Sequence, residues 1–495
     1  MKDLLNQEVD SLTNEEISKI KNKSVVGVIA YTLRTFFLQI ISLVAILLLT
    51  AFLTPEEFGI FFLVSAVVNL FTFLSDIGLA ASLIQKKSKP TDEDLYTTFS
   101  IQQLLAILIF TIIFLLTPFW RDQYSLNSAG IMLLYALGFS FILSSLKTIP
   151  SIILERKLEF NKLVLPQIVE NIFFYSTAVF FAWKGYGVTS YTVAVLLRGV
   201  SGLITIYALV PWRPKFRISK KSLKGLLKFG VPFQVNDLLA RAKDDLLIVV
   251  LKKFITTAEL GFLGWAQKWS LFPFRFTVDS VIRVTFPAYS RLQKDKKNLK
   301  VAIEKSLFFI ALIIFPLLVG MGVMARPLTL VIDKYQKWQP ALPALYFFII
   351  NVMWSSISTP LTNAINAVGK IKITLKLMVM WTTLTWAFTI PAVIKYGFVG
   401  AAFSAALVSC TSVVTIFIVK RIANISVFSN IGKQFLASII MGAVIYNFRD
   451  FVSLSFTRFV LGIVFGAVVY AITVYAIMPR KITSEVKKVL SLRKK

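Results

Sequence analysis

Seven basic and six acidic side chains interrupt stretches that are otherwise apolar, and these are the residues able to do chemistry. The basic ones are Arg34, Arg198, Arg241, Lys243, Lys268, Arg275 and Arg283; the acidic ones are Asp76, Glu170, Asp237, Asp244, Asp245 and Asp279. Two sets share a helix face. At about 100° per residue, Asp237, Arg241, Asp244 and Asp245 fall within an arc of about 100°. By the same geometry Lys268, Arg275, Asp279 and Arg283 fall within about 80°, whereas Lys243 points away from its neighbours. Fixed cations gathered in this way attract an anionic group such as a pyrophosphate or a carboxylate sugar, and Arg offers phosphate two parallel hydrogen bonds. Asp76, Asp237, Asp244, Asp245 and Asp279 are candidates to carry a proton or Na⁺. Arg34 and Asp76 sit at matched depth, so a purely structural ion pair is the competing reading for them. Pro232 and Pro273 can open the two charged helices locally.

The chain has no histidine, and Cys410 is its only cysteine. Disulfides, thiolate metal sites, His relays and Ser-His or Cys-His catalysis are thereby excluded. No cofactor is called for beyond a coupling proton or Na⁺.

The elements that must position these charges are membrane helices. Hydrophobic residues make up 56% of the chain, mean hydropathy is +0.74, and apolar segments of about 20 residues recur fourteen times between Gly27 and Pro479. A bilayer core about 30 Å thick needs about 20 apolar helical residues to cross it, and lipid satisfies no free backbone group. The fold class is all-α, a polytopic membrane protein of about 14 helices.

A net charge of +29 would point to nucleic acid in a soluble protein, but its distribution reads as topology. Lys and Arg outside the spans number 37 on the termini and even-numbered connectors against 10 on the odd-numbered ones. Positive charge stays on the cytoplasmic side, so both termini are expected there, in a bacterial or archaeal cytoplasmic membrane. The excess also draws anionic headgroups, and no aromatic-interleaved basic module suggests a nucleic-acid partner. Residues 1–26 lack the features of a cleaved signal peptide, and Thr13 with Glu16 could cap a short surface helix. Ile482, Val486, Val489 and Leu490 share a face of the basic tail, the pattern of an interfacial helix.

The chain reads as duplicated. Thr54-Pro55-Glu56-Glu57-Phe58-Gly59 and Thr256-Thr257-Ala258-Glu259-Leu260-Gly261 both fit T-x-x-E-[F/L]-G, 202 residues apart. Tyr186-Gly187 recurs as Tyr396-Gly397, 210 apart. The expected organisation is a cytoplasmic segment 1–26, an N-lobe 27–211, a basic linker 212–228, a C-lobe 229–420, two added helices in 421–479 and a basic tail 480–495. Parallel repeats of this kind place a substrate between lobes that rock. No connector is long enough to fold as a domain, which weighs against a membrane glycan polymerase or ligase.

Leu53 through Gly59, Ser75-Asp76-Ile77-Gly78-Leu79-Ala80-Ala81-Ser82-Leu83-Ile84-Gln85 and Thr91-Asp92-Glu93-Asp94-Leu95 resemble the Wzx-type polysaccharide flippases. These form the polysaccharide-transport branch of the multidrug/oligosaccharidyl-lipid/polysaccharide exporter superfamily. Similar stretches are Leu154-Glu155-Arg156-Lys157-Leu158-Glu159-Phe160, Arg241–Ile248, and Phe286-Pro287-Ala288-Tyr289-Ser290-Arg291-Leu292. The likeness runs collinearly through most of residues 25–420. It implies a two-lobed, V-shaped transporter of 12 to 14 helices. It also implies movement of an undecaprenyl-pyrophosphate-linked oligosaccharide to the outer leaflet, with Asp76, Arg241 and Asp244 at positions where members carry polar residues. Val249-Val250-Leu251-Lys252-Lys253-Phe254 departs from the Gly-containing turn common there.

The combined reading is a flippase for surface-polysaccharide biosynthesis, not an enzyme, whose partners are the lipid-linked oligosaccharide, membrane lipids and glycan-assembly proteins. Arg34, Arg275 and Arg283 would meet the headgroup, Arg241 and Lys268 would hold charge near midplane, and Arg198 is a further substrate-binding candidate. A peptidoglycan-precursor flippase and a drug/cation antiporter are the alternatives within the superfamily.

Overall fold

The computed structural model describes residues 37–86 and 88–484, with the backbone alone at residues 228–240 and 242. The readings placed on residues 1–26, on Arg34, and on Val486, Val489 and Leu490 lie outside the described residues. So do those on the side chains of Pro232 and Asp237.

Helix is the only regular structure among the described residues. The chain runs through α1 (Phe37–Phe52), α2 (Pro55–Asp76), α3 (Leu79–Gln85), α4 (Asp92–Leu115), α5 (Thr117–Tyr124), α6 (Ser128–Arg156), α7 (Phe160–Trp183) and α8 (Thr189–Leu209). It continues through α9 (Lys220–Leu251), α10 (Thr257–Arg291), α11 (Lys296–Val331), a 3-10 segment (Asp333–Ala341), α12 (Leu342–Ala367) and α13 (Ile371–Cys410). The last elements are α14 (Val413–Ala423), α15 (Val427–Asn447), α16 (Arg449–Val452) and α17 (Phe456–Ile477). Among the described residues ten helical stretches are long and apolar enough to cross a membrane. The two charged helices, α9 and α10, are not among them because the same side chains that could do chemistry lower their hydropathy. This is an all-α, multi-pass membrane protein.

Local sequence sets where the helices begin. Thr54 and Glu57 bond each other's backbone N–H groups at 2.7 and 3.3 Å, the reciprocal arrangement of a capping box. Thr91 with Asp94, and Thr256 with Glu259, do the same for α4 and α10. The repeated Tyr-Gly pairs also behave alike: Gly187 and Gly397 both have positive φ, 55° and 59°, a conformation glycine adopts without a Cβ clash. At Gly397 this breaks α13 into two helical halves. Ile77 and Gly78, at φ 48° and 74°, break the apolar run between Gly59 and Leu83 into α2 and α3.

By packing the chain forms two units. Among the described residues unit 1 comprises those up to Leu53 and Ile60–Lys253; unit 2 comprises Thr54–Gly59 and those from Phe254 onward. The core of unit 1 includes Leu79, Leu83, Phe99, Ile149, Ile152 and Leu226, with Trp212 packed against it. Helix α9 belongs here because it packs on α3 and α4, so the contact division falls later in the chain than the 212–228 linker marked by charge. Only residues 212–219 of that region are irregular. Ser100 and Thr97 fasten them to α4 by accepting from the backbone N–H groups of Arg217 (2.9 Å) and Ser219 (3.0 Å). In unit 2, Met324 meets Met441, Ile445, Val452 and Phe459, while Phe308 meets Ala437, Val474 and Met478. These clusters seat the appended helices α15 and α17 on α11. The middle of α17 exposes Leu461, Val464 and Ile472, each more than half exposed, as a lipid-facing helix does.

Candidate functional site

Unit 2 presents its charges along one helix. The capping box at Thr256 starts α10, and the helix then runs without a break past Pro273 and Pro287. Lys268 is partly buried, Arg275 and Arg283 are exposed, and Asp279 is partly buried between the two arginines. Asp279 lies within electrostatic reach of both Arg275 and Arg283, and Lys268 feels the charge of Arg275. Lys268 to Arg283 spans about 22 Å at the helical rise. Three cations and one carboxylate on this face form a net-positive track, which in a membrane helix must line water or meet a charged ligand.

Unit 1 places its charges on several helices, each with partners. Glu170 on α7 pairs one carboxylate oxygen with Lys147 Nζ of α6 and holds the other 3.7 Å from Arg198 Nε of α8. Arg198 also lies over the Phe174 ring at 5.7 Å. Gly202 leaves the room for this carboxylate, since a Cβ there would stand 1.9 Å from Glu170 Oε1. Arg241 donates to the Asn69 carbonyl at 3.1 Å, and the Asn69 amide donates to Asp245 Oδ1 at 3.1 Å, tying α9 to α2. Asp244 is exposed and has Lys243 at 3.3 Å. Asp76 accepts from the Ala80 N–H at 3.0 Å and from the Gln102 amide. It thereby caps α3, the helix that follows the Ile77-Gly78 break.

The track on α10 thus gathers Lys268, Arg275, Asp279 and Arg283, whereas Arg198, Arg241, Asp244, Asp245 and Asp76 lie within unit 1 in separate clusters. Lys147 was missed by the sequence reading because it ends an apolar segment and counted as a connector charge. Its signal was the opposite charge of Glu170 at similar depth on the next span. A cavity of about 490 Å³ in unit 1 was likewise not foreseen. Lys86, Asp94, Ser219 and Ser222 line it, with Asp94 bonded to both Lys86 and Ser222. Among the described residues no cluster of three or more acidic or cysteine side chains could hold a metal ion.

The described residues thus combine apolar helices long enough to cross a membrane with charged side chains carried on several helices. A family model described as polysaccharide biosynthesis protein matches residues 48–343, more than half of the chain, and the chain belongs to that family. The lipopolysaccharide biosynthesis protein WzxC of Escherichia coli (strain K12) is 25% identical over 398 residues, 78% of each chain. The succinoglycan biosynthesis transport protein ExoT of Rhizobium meliloti (strain 1021) is 21% identical over 309 residues, 61% of this chain and 60% of its own. Among solved structures, the lipid II flippase MurJ in an inward closed conformation superposes with a TM-score of 0.73 at 18% identity. That match covers 92% of this chain and 100% of that one, and shows a shared fold. The resemblance read from residues 53–95 and the family match agree on a Wzx-type polysaccharide transporter.

Proposed function

We propose that the protein carries a lipid-linked oligosaccharide, its sugars joined to undecaprenol through pyrophosphate, from the cytoplasmic to the outer leaflet of the cytoplasmic membrane. The observation that carries this reading is the net-positive track on α10. Arg275 and Arg283 meet the pyrophosphate, each able to offer two parallel N–H donors to its oxygens. Lys268 adds a point charge further along the helix. Asp279, between the arginines, keeps the attraction moderate, since a carrier must release what it binds. Arg34, Arg198 and Arg241 are the corresponding candidates in the N-terminal half. A proton or Na⁺ taken up by Asp76, Asp237, Asp244, Asp245 or Asp279 would supply the driving step. Both termini lie in the cytoplasm in this scheme, where glycan-assembly proteins load the substrate. The relatives named for lipopolysaccharide and succinoglycan biosynthesis support the substrate class, and the MurJ-like fold supports lipid-linked cargo.

The test replaces Arg275 and Arg283 by Ala, singly, and follows surface glycan together with protein abundance. A charge-assisted hydrogen bond contributes about 1.5–3 kcal/mol, so each variant should lose export by about tenfold or more at unchanged abundance. Lys should rescue only partly, because it lacks the planar fork. Normal export by both Ala variants would place the headgroup elsewhere.

A further inference from the structure

Apart from its charged clusters, unit 1 carries a groove of about 650 Å³ between α1 and α7. Val44, Leu48 and Phe52 form one wall, and Val179, Phe180 and Trp183 form the other. At one end of the groove Tyr175 shares a hydrogen bond of 2.9 Å with Ser42, which ties the two helices together. The walls are open, with Val44 and Phe180 each 50% exposed and Trp183 58%. Every lining residue belongs to unit 1, so the groove is complete within it.

Its length and its ends point to what fills it. At the helical rise the lining runs about 18 Å along α1, from Ile40 to Phe52, and about 12 Å along α7, from Tyr175 to Trp183. One leaflet's share of a hydrocarbon core about 30 Å thick is about 15 Å, so the groove matches a single leaflet. Helix α7 ends in an aromatic cluster, where Phe180 meets Trp183 at 6.3 Å and Phe181 meets Tyr186 at 5.4 Å. Trp and Tyr gather in this way where hydrocarbon gives way to headgroups. Lys184 follows, exposed, with its ammonium 4.6 Å from the centroid of the Trp183 ring. Among the described residues no carboxylate pairs with it. An empty apolar space forfeits dispersion contacts and water does not enter it, so in a bilayer a lipid chain occupies the groove. Between two walls that chain makes more contact than on the outward face of a single helix such as α17, and a cation stands at its headgroup end.

We propose that the groove between α1 and α7 binds one acyl chain of an anionic phospholipid, whose phosphate meets Lys184 at the headgroup level. In the orientation given by the charge count this lipid belongs to the outer leaflet. A groove one leaflet long fits an ordinary acyl chain, whereas the polyprenyl chain of a lipid-linked sugar is far longer. The site is therefore separate from the one proposed for the substrate and does not rest on that reading. Its lipid bridges α1 and α7 beside the Ser42–Tyr175 bond and so helps to seat α1 on the rest of unit 1.

The test places photoreactive p-benzoylphenylalanine at Val44 or, as a control, at Val464 of α17, which is 55% exposed. The full-length protein is held in nanodiscs of phosphatidylglycerol and phosphatidylethanolamine in equal amounts. After irradiation the adducts at Val44 should carry phosphatidylglycerol several-fold above its share, while those at Val464 follow the bilayer. Lys184→Gln should return Val44 to the bilayer ratio. Capture at the bilayer ratio in the Val44 protein, or unchanged enrichment with Lys184→Gln, would overturn the proposal. Undecaprenyl phosphate in small excess should leave the phosphatidylglycerol adduct in place; displacement would give the groove to the substrate's chain and overturn it too. A second readout needs no unnatural side chain. The melting temperature of the delipidated parent should rise more with phosphatidylglycerol than with phosphatidylethanolamine, and Lys184→Gln should abolish the difference. Equal shifts in the parent would again overturn the proposal. Neither readout measures export, so failure of the flippase reading leaves this one standing.

Discussion

Glu170 shares its carboxylate between cations on two neighbouring helices, Lys147 tightly and Arg198 loosely, and the arrangement depends on the missing side chain at Gly202. Gly199, three residues earlier, makes an ordinary helix contact instead: a Cβ there would stand 2.5 Å from Leu143 of α6. The sequence could not reveal that Gly202 makes space for a charge rather than for an apolar side chain, because helix rotation decides which neighbour faces a glycine. Gly202→Ala should displace the carboxylate from Lys147 and leave charge uncompensated, a loss of roughly 3–5 kcal/mol for a buried pair. Glu170→Gln should destabilise in the same direction. Lys147→Gln combined with Glu170→Gln should recover much of the loss, because neither charge is then stranded. Melting temperature in detergent for the three variants checks this. A Gly202→Ala protein that melts like the parent would show that the carboxylate has room to move.

At the scale of elements, two of the stretches that carry the family resemblance turn out to serve one short helix. Asp76 caps the start of α3, and the Arg156 guanidinium closes its end by donating to the carbonyls of Leu83 (2.7 Å), Ile84 (3.0 Å), Lys86 (2.8 Å) and Ser88 (3.2 Å). A positive group at a helix C-terminus satisfies carbonyls that have no partner within the helix. The apolar run between Gly59 and Leu83 is plain in the sequence but the break inside it is not, since a β-branched residue such as Ile77 gives no signal for a left-handed φ. The cap gives Asp76 a structural task that competes with ion coupling, and the two separate cleanly. Asn can accept the Ala80 N–H as Asp does, whereas Ala cannot and should cost about 1 kcal/mol. Asp76→Asn should therefore retain abundance and export, with Asp76→Ala losing abundance. Normal abundance with export lost in Asp76→Asn would return this carboxylate to the coupling step. Arg156→Lys should fall between the parent and Arg156→Ala in abundance, as one ammonium cannot reach four carbonyls.

For the whole molecule, the paired motifs were legible because they are backbone requirements: a capping box at Thr54 and at Thr256, and a left-handed glycine at 187 and at 397. Packing was less legible, since Lys220–Leu251 carries the repeat phase of the second half yet packs on α3 and α4 of the first. Orientation rests on a different physical argument, the retention of Lys and Arg on the cytoplasmic side, at 37 against 10 across the connectors and termini. The structure supplies exposed reporter positions that cap no helix. Gln123 and Gln336 lie in odd-numbered connectors, Lys221 and Lys296 in even-numbered ones, and all four are exposed. With Cys410→Ser as background, single cysteines at the first two positions should react with an impermeant maleimide in intact cells. Those at the latter two should react only after permeabilisation. Ser219 and Asn127 are poorer choices, because their side chains accept from Ser222 and Gly130 and a cysteine there would fray α9 or α6. Labelling of Lys221→Cys or Lys296→Cys from outside would invert the topology. It would then place the Thr54 and Thr256 capping boxes on the cytoplasmic side, the side on which the charge count puts the termini.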